Sequence, residues 1–133
     1  MARYVIDAPT LVHLVDAELE PLATHQLVAP NSIRSEAMNL LLHDVRSGAR
    51  DERDALDAHT RATEIKMRLL GDRVSRTTAW RIARERDWDS LRDAEYLAIT
   101  RLQADALVTV DKAFAKRAKG IVPMVPLDAL FSK

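Results

Sequence analysis

Four acidic residues stand where chemistry is done in many folds. Asp7 ends the apolar run "YVID", and Asp111 ends "ALVTVD". Glu36 follows a second short apolar run, "QLVAP", and Asp93 opens the segment that leads into "ALVTVD". Carboxylates brought together repel one another, and some stay protonated unless a cation is present. Each acid also has a simpler role. Asp111 can cap the segment "KAFAKRA". Asp93 completes Ser90-x-x-Asp93, a capping-box pattern. Glu36 gains from the positive end of a helix dipole, and Asp7 can be a turn residue before Pro9. These roles explain each acid singly, but not why four acids would converge.

The surrounding pattern supplies the elements that would position them. Residues 3–6 read as a strand whose unbroken apolar run suits burial on both faces of a parallel sheet. A helix is expected from Thr10, with Leu11, Leu14 and Val15 inward. Residues 26–30 read as a second strand. Residues 31–48 read as a helix capped by Asn31 or Ser32, with Ile33, Ala37, Leu40, Leu41 and Val45 on one face, ending at Gly48. A further helix is expected over 51–70 with Leu56, Ala62, Ile65 and Leu69 inward, so that the two helices form a hairpin. A very short strand is expected within 71–76, and helices over 77–87 and 90–104, the latter with Leu91, Ala94, Ala98 and Leu102 on one stripe. The strand at 106–111, a short helix and a final edge strand near 121–125, bracketed by Pro123 and Pro126, complete the chain. Strands alternating with helices give an α/β fold with a mostly parallel sheet and helices on both faces. Ligands of such sheets bind outside the carboxyl ends of the strands, where Asp7 and Asp111 fall.

The chain has 133 residues, read as one domain spanning 1–133, with 20 basic and 20 acidic residues and no cysteine. Thiolate catalysis, cysteine-bound zinc and disulfides are therefore excluded. The balanced charge argues against nucleic-acid binding by bulk charge alone. Six arginines between Arg68 and Arg86 nevertheless meet only Asp72 and Glu85, which reads as a solvated face or a local phosphate-binding surface. Trp80 and Trp88 are candidates to stack on unpaired bases, although Trp80 is expected rather to pack, beside Ile82 and Ala83. The histidines share no ligand spacing. No secretion signal or membrane span is recognised, so a cytoplasmic location is expected.

In order and context, "YVIDAPTLVHLV", "APNSIRSEAMNLL", "LRDAEYLAITRLQADALVTVD" and "KAFAKRA" resemble the PIN domain, in particular the VapC-type toxins of bacterial toxin–antitoxin pairs. The likeness runs the length of the chain, and its most specific parts are D-A-x-Y-L-A at 93–98 and T-x-D at 109–111. It implies a PIN-like three-layer α/β/α fold with a helical hairpin, and a toxic ribonuclease dependent on Mg²⁺ or Mn²⁺. Asp7, Glu36, Asp93 and Asp111 would be its catalytic and metal-binding acids. Asp7 and Asp93 would be direct ligands, Asp111 a ligand or the holder of a water, and Glu36 an outer or second-metal group. The resemblance also implies a VapB-type antitoxin as partner, RNA as substrate and a homodimer. Thr109, expected on the opposite strand face from Asp111, would be a substrate contact with Arg73, Arg76, Arg81 and Lys112. Two positions depart from the family pattern. Ala8-Pro9 follow the first acid where Ser or Thr is common, and Arg92 stands where an aromatic often precedes the third acid. A PIN domain that only binds RNA or protein is the other reading. Receiver domains and haloacid-dehalogenase-type phosphatases are excluded, the first for want of an acidic pair after the first strand, the second because Pro9 breaks the required D-x-D.

Overall fold

The architecture follows from three short apolar runs that need burial on both faces and a fourth, more exposed strand at the sheet edge. A computed structural model of the chain describes all 133 residues. Strands β1 (Arg3–Ile6), β2 (Gln26–Pro30), β3 (Arg68–Leu70) and β4 (Ala106–Val108) form one all-parallel sheet in the order β3-β2-β1-β4. Between them lie α1 (Ala8–Asp16), the hairpin α2 (Ile33–Ser47) and α3 (Glu52–Glu64), then α4 (Arg73–Glu85) and α5 (Arg92–Gln103), with α6 (Lys112–Ala118) after β4. Helices α1, α2 and α3 pack on one another, whereas α5 lies on β1, β2 and β4 and is backed by α4. The result is a three-layer α/β/α fold around one cluster of 29 buried residues.

Strand order places the site. The chain steps from β1 outward to β2 and β3, then crosses back to set β4 on the other side of β1. Right-handed crossovers require helices on opposite faces for these opposite steps. The reversal opens a crevice at the carboxyl ends of β1 and β4, and the residue after β1 is Asp7.

Several expected elements differ. The helix expected over 51–70 ends at Glu64, and Arg68–Leu70 leave it to pair with Val28–Pro30 as the edge strand. The very short strand expected within 71–76 does not form; residues 73–76 are the first turn of α4, where Asp72 and Ser75 form a capping box. Helix α3 buries Ala55, Ala58 and Ala62, while Leu56 is 54% exposed; small side chains let α3 lie close to α1 and α2. Helix α5 is buried nearly all round, because sheet and α4 sandwich it, and Leu102 is exposed. The final strand reduces to one parallel bridge, Leu107 to Met124. Pro123 and Pro126 have no N–H to extend the ladder. No helix is long and apolar enough to cross a membrane.

Candidate functional site

Asp7 is built into the junction of β1 and β4. It caps α1, one oxygen accepting from the Thr10 amide (3.2 Å) and the Thr10 hydroxyl. The other accepts from the Thr109 hydroxyl at 2.6 Å. Each hydroxyl accepts in turn from a backbone amide after β4, Thr10 Oγ1 from Val110 (3.1 Å) and Thr109 Oγ1 from Asp111 (3.0 Å). Asp7 is 4% exposed and Thr10 fully buried. Burial pushes the Asp7 carboxyl above its ordinary value, the hydroxyl bonds pull it back, and the nearby Asp111 charge adds to the rise.

This arrangement corrects the expectation for Thr109. Residues two apart share one face of an extended chain, so Thr109 lies on the side of Asp111 and not opposite it, and its hydroxyl joins Asp7 to Asp111. Thr10 meanwhile supplies, from one turn into α1, the hydroxyl contact that Ala8 and Pro9 cannot.

The other acids reach the same place from three helices. Glu36 lies in the first turn of α2 and accepts from the Tyr96 phenol (2.5 Å) and the Ser32 hydroxyl (3.1 Å). Tyr96 is 3% exposed; burial first, and its bond to Glu36 second, push its phenol far above the ordinary value. Asp93 opens α5, but the Ser90-x-x-Asp93 capping box does not form. The Ser90 hydroxyl accepts from the Arg92 amide, and Asp93 accepts from Arg117 at 2.6 Å. The Arg117 guanidinium also lies over the Trp88 ring, 4.3 Å from its centroid. Asp111 does cap α6, with Oδ1 accepting from Ala113 (3.0 Å) and Phe114 (3.2 Å), while its second oxygen makes no hydrogen bond.

Asp7, Glu36, Asp93 and Asp111 line one cleft of about 310 Å³, together with Arg92, Arg117, Tyr96 and Phe114. When all four acids are ionised, the two guanidiniums leave an excess of two negative charges, the charge one divalent cation would balance. The donors are hard carboxylate oxygens of the kind Mg²⁺ and Mn²⁺ take, so the residue set fits such an ion. As they stand, no three of them converge closely enough to hold one, and Arg117 supplies Asp93 with the counter-charge a cation would give. A larger groove of about 1000 Å³ at the amino ends of β1 and β2 sets Glu18, Glu20 and Glu64 against Arg61, Lys66 and Arg68, so it carries no such excess.

The remaining predicted contacts lie apart. Arg73, Arg76 and Arg81 are exposed on α4, and Lys112 is exposed at the start of α6; none lines the cleft. Sequence reasoning assigned no role to Tyr96 or Thr10, and read Arg117, with Lys112, Lys116 and Lys119, as an RNA-backbone contact or a solvated helix surface, not as the partner of Asp93. Tyr96 could have been found inside D-A-x-Y-L-A, as the hydroxyl that stands with Ala94, Leu97 and Ala98 among the buried residues of α5.

No family model matches the chain, and no curated protein does. Among solved structures, PAE2754 from Pyrobaculum aerophilum aligns with a TM-score of 0.74 at 24% identity, covering 97% of this chain and 92% of that one. At this identity the likeness establishes the shared fold.

Proposed function

We propose that the chain is a metal-dependent ribonuclease of the PIN type, a VapC-type toxin held in check by a VapB-type antitoxin. The observation that carries this reading is the convergence of residues 7, 36, 93 and 111 on one cleft at the crossover of the sheet. Asp7, Asp93 and Asp111 would hold Mg²⁺ or Mn²⁺, with Glu36 outside them. Such an ion, when bound, lowers the pKa of a water and takes up charge on a phosphate. Asp7 is fixed by three donors, so its position needs no further ordering. Tyr96 holds Glu36 and thereby fixes one wall of the cleft. The free oxygen of Asp111 can orient a water while the other keeps α6 in place. Arg92 and Arg117 are the cations available to a phosphate.

The pairing of Asp93 with Arg117 favours a second reading, a PIN domain that binds RNA without cutting it. One experiment separates the two. On the first reading RNA cleavage by the purified chain stops with EDTA, returns with Mg²⁺ or Mn²⁺, and is lost in Asp7→Asn and Asp93→Asn while circular dichroism is unchanged. Near-normal cleavage by both variants would overturn the site assignment. The exposed Leu42 and Leu56 on the α2–α3 hairpin offer an antitoxin, or a second copy of the chain, an apolar surface. An antitoxin arginine reaching the cleft would compete with a cation for the carboxylates. Changing that arginine to alanine should restore some cleavage while the complex persists.

A further inference from the structure

Trp80, expected to pack, is instead 59% exposed at the middle of α4. Arg73, Arg76 and Arg84 stand seven and four residues before it and four after, so all three share its face of the helix. Ser75, Ala79, Ile82 and Ala83 form the buried face. Every ion pair in the molecule within 4 Å uses Arg50, Arg61, Arg92 or Arg117. The arginines of α4 therefore carry unpaired charge around a bare indole.

We infer that this face of α4 is a stacking platform for unpaired RNA, with Trp80 taking a base and Arg76 and Arg84 the flanking phosphates. Every base has a π-face, so an exposed indole binds single strands without regard to sequence, and guanidiniums on either side match a phosphate backbone. A second copy of the chain fits less well, since a two-fold contact through this face would set arginines against arginines. The inference rests on the ribonuclease reading for the identity of the polymer.

The platform is also placed to serve the cleft. Helix α4 starts two residues beyond β3, hence at the carboxyl edge of the sheet, where the four acids lie. Helix α4 packs along α5, the helix that carries Asp93 of the cleft. From Arg73 to Arg84 the helix rises about 16 Å. A strand lying along it would be held on one flank as it enters the cleft.

The test uses the full-length chain in EDTA, so that no cleavage intervenes, and a short fluorescein-labelled oligoadenylate read by fluorescence anisotropy. Trp80→Ala should weaken binding by about 5- to 150-fold, the range for loss of one base stack, and Trp80→Phe should recover most of it. The double variant Arg76→Gln, Arg84→Gln should lower the slope of log affinity against log salt by about 1.4, or about 0.7 per phosphate contact on a single strand. These side chains are exposed, so melting curves should match the parent's. The inference is overturned if Trp80→Ala binds like the parent, if the parent binds an RNA duplex as tightly as the single strand, or if it binds neither. It is equally overturned if Trp80→Ala dissociates a dimer while RNA affinity holds, which would make the face a contact between copies. Binding that depends on Trp80, in a chain that cuts no RNA with Mg²⁺ or Mn²⁺, would sink the ribonuclease reading and leave the platform standing.

Discussion

Both oxygens of Asp7 are occupied before any ligand arrives. That makes Thr109 a structural residue as well as a neighbour of the cleft. Thr109→Val would leave one carboxylate oxygen and the Asp111 amide without partners, at a cost of about 1–3 kcal/mol. The lost donor serves the ionised carboxylate, so this cost should shrink in acid; denaturant titrations at neutral and low pH would show it. Asp7 itself pulls the other way. Its folded carboxyl holds a proton more tightly than the unfolded one. Ionisation therefore takes stability from the fold as pH rises from the ordinary value of 3.8 through the raised one, and the loss is complete above it. Asp7→Asn is free of that loss. Its stability relative to the parent should climb over this window and then level off, and a flat difference across the window would show that Asp7 is not strained by burial. These residues also mark what the sequence could tell. The four acids were legible from their places after apolar runs. The hydroxyls of Thr10 and Thr109 were not, because their roles depend on two strands about a hundred residues apart in the chain. The pairing of Arg117 with Asp93 was hidden for the same reason: Arg117 reads as a backbone contact or a solvated surface residue until α6 folds back beside Trp88 and Asp93.

Three helices end with the same backbone device and three different residues. After α1 the amides of Glu18 and Leu19 bond back to Val15 and Leu14; after α2 those of Gly48 and Ala49 bond to Val45 and Asp44; after α4 those of Asp87 and Trp88 bond to Arg84 and Ala83. The motif needs a left-handed residue at its first position, and only Gly48 is a glycine there. Glu18 (φ 54°) and Asp87 (φ 57°) adopt a conformation that costs an L-residue about 1–2 kcal/mol. Glycine avoids that cost but gives back about 0.5–1 kcal/mol of chain entropy. Glu18→Gly should therefore stabilise the protein by a few tenths to about 1 kcal/mol, measured by thermal melting, with the fold unchanged. Glycine is also the signal by which helix ends are read in a sequence, and Gly48 was read that way. Helix α3 shows the opposite problem. Leu69 and Leu70 continue its apolar spacing, and nothing local reveals that they pair with β2 instead. The preference for Leu56 over Ala55 failed because transfer energy favours the larger side chain, while close packing against α1 and α2 favours the smaller.

At the scale of the whole molecule, β1 is the central fact. It pairs with β2 on one side and β4 on the other, and α5 lies across all three. These elements should exchange their amide hydrogens only on global unfolding. Val110 and Asp111 lie outside the strands, yet their amides donate to hydroxyls locked on Asp7. Both should be protected like strand amides in a hydrogen-exchange experiment, and in Thr109→Val the Asp111 amide should lose that protection while Val110, bonded to Thr10, keeps it. The α/β alternation that predicted a parallel sheet was sufficient for the class of fold. The strand order was not legible, because it is fixed by which crossovers can coexist and not by any single segment. That order has a further consequence during synthesis. A ribosome makes β1 about a hundred residues before β4, so the first strand must wait, with one edge open, for that length of chain to follow it. The Asp7 and Asp111 carboxylates cannot meet until that late strand has emerged and slid in beside the early one. Any activity that requires both waits until β4 has been made and has docked, and a nascent chain that stops short of it holds only half of the pair.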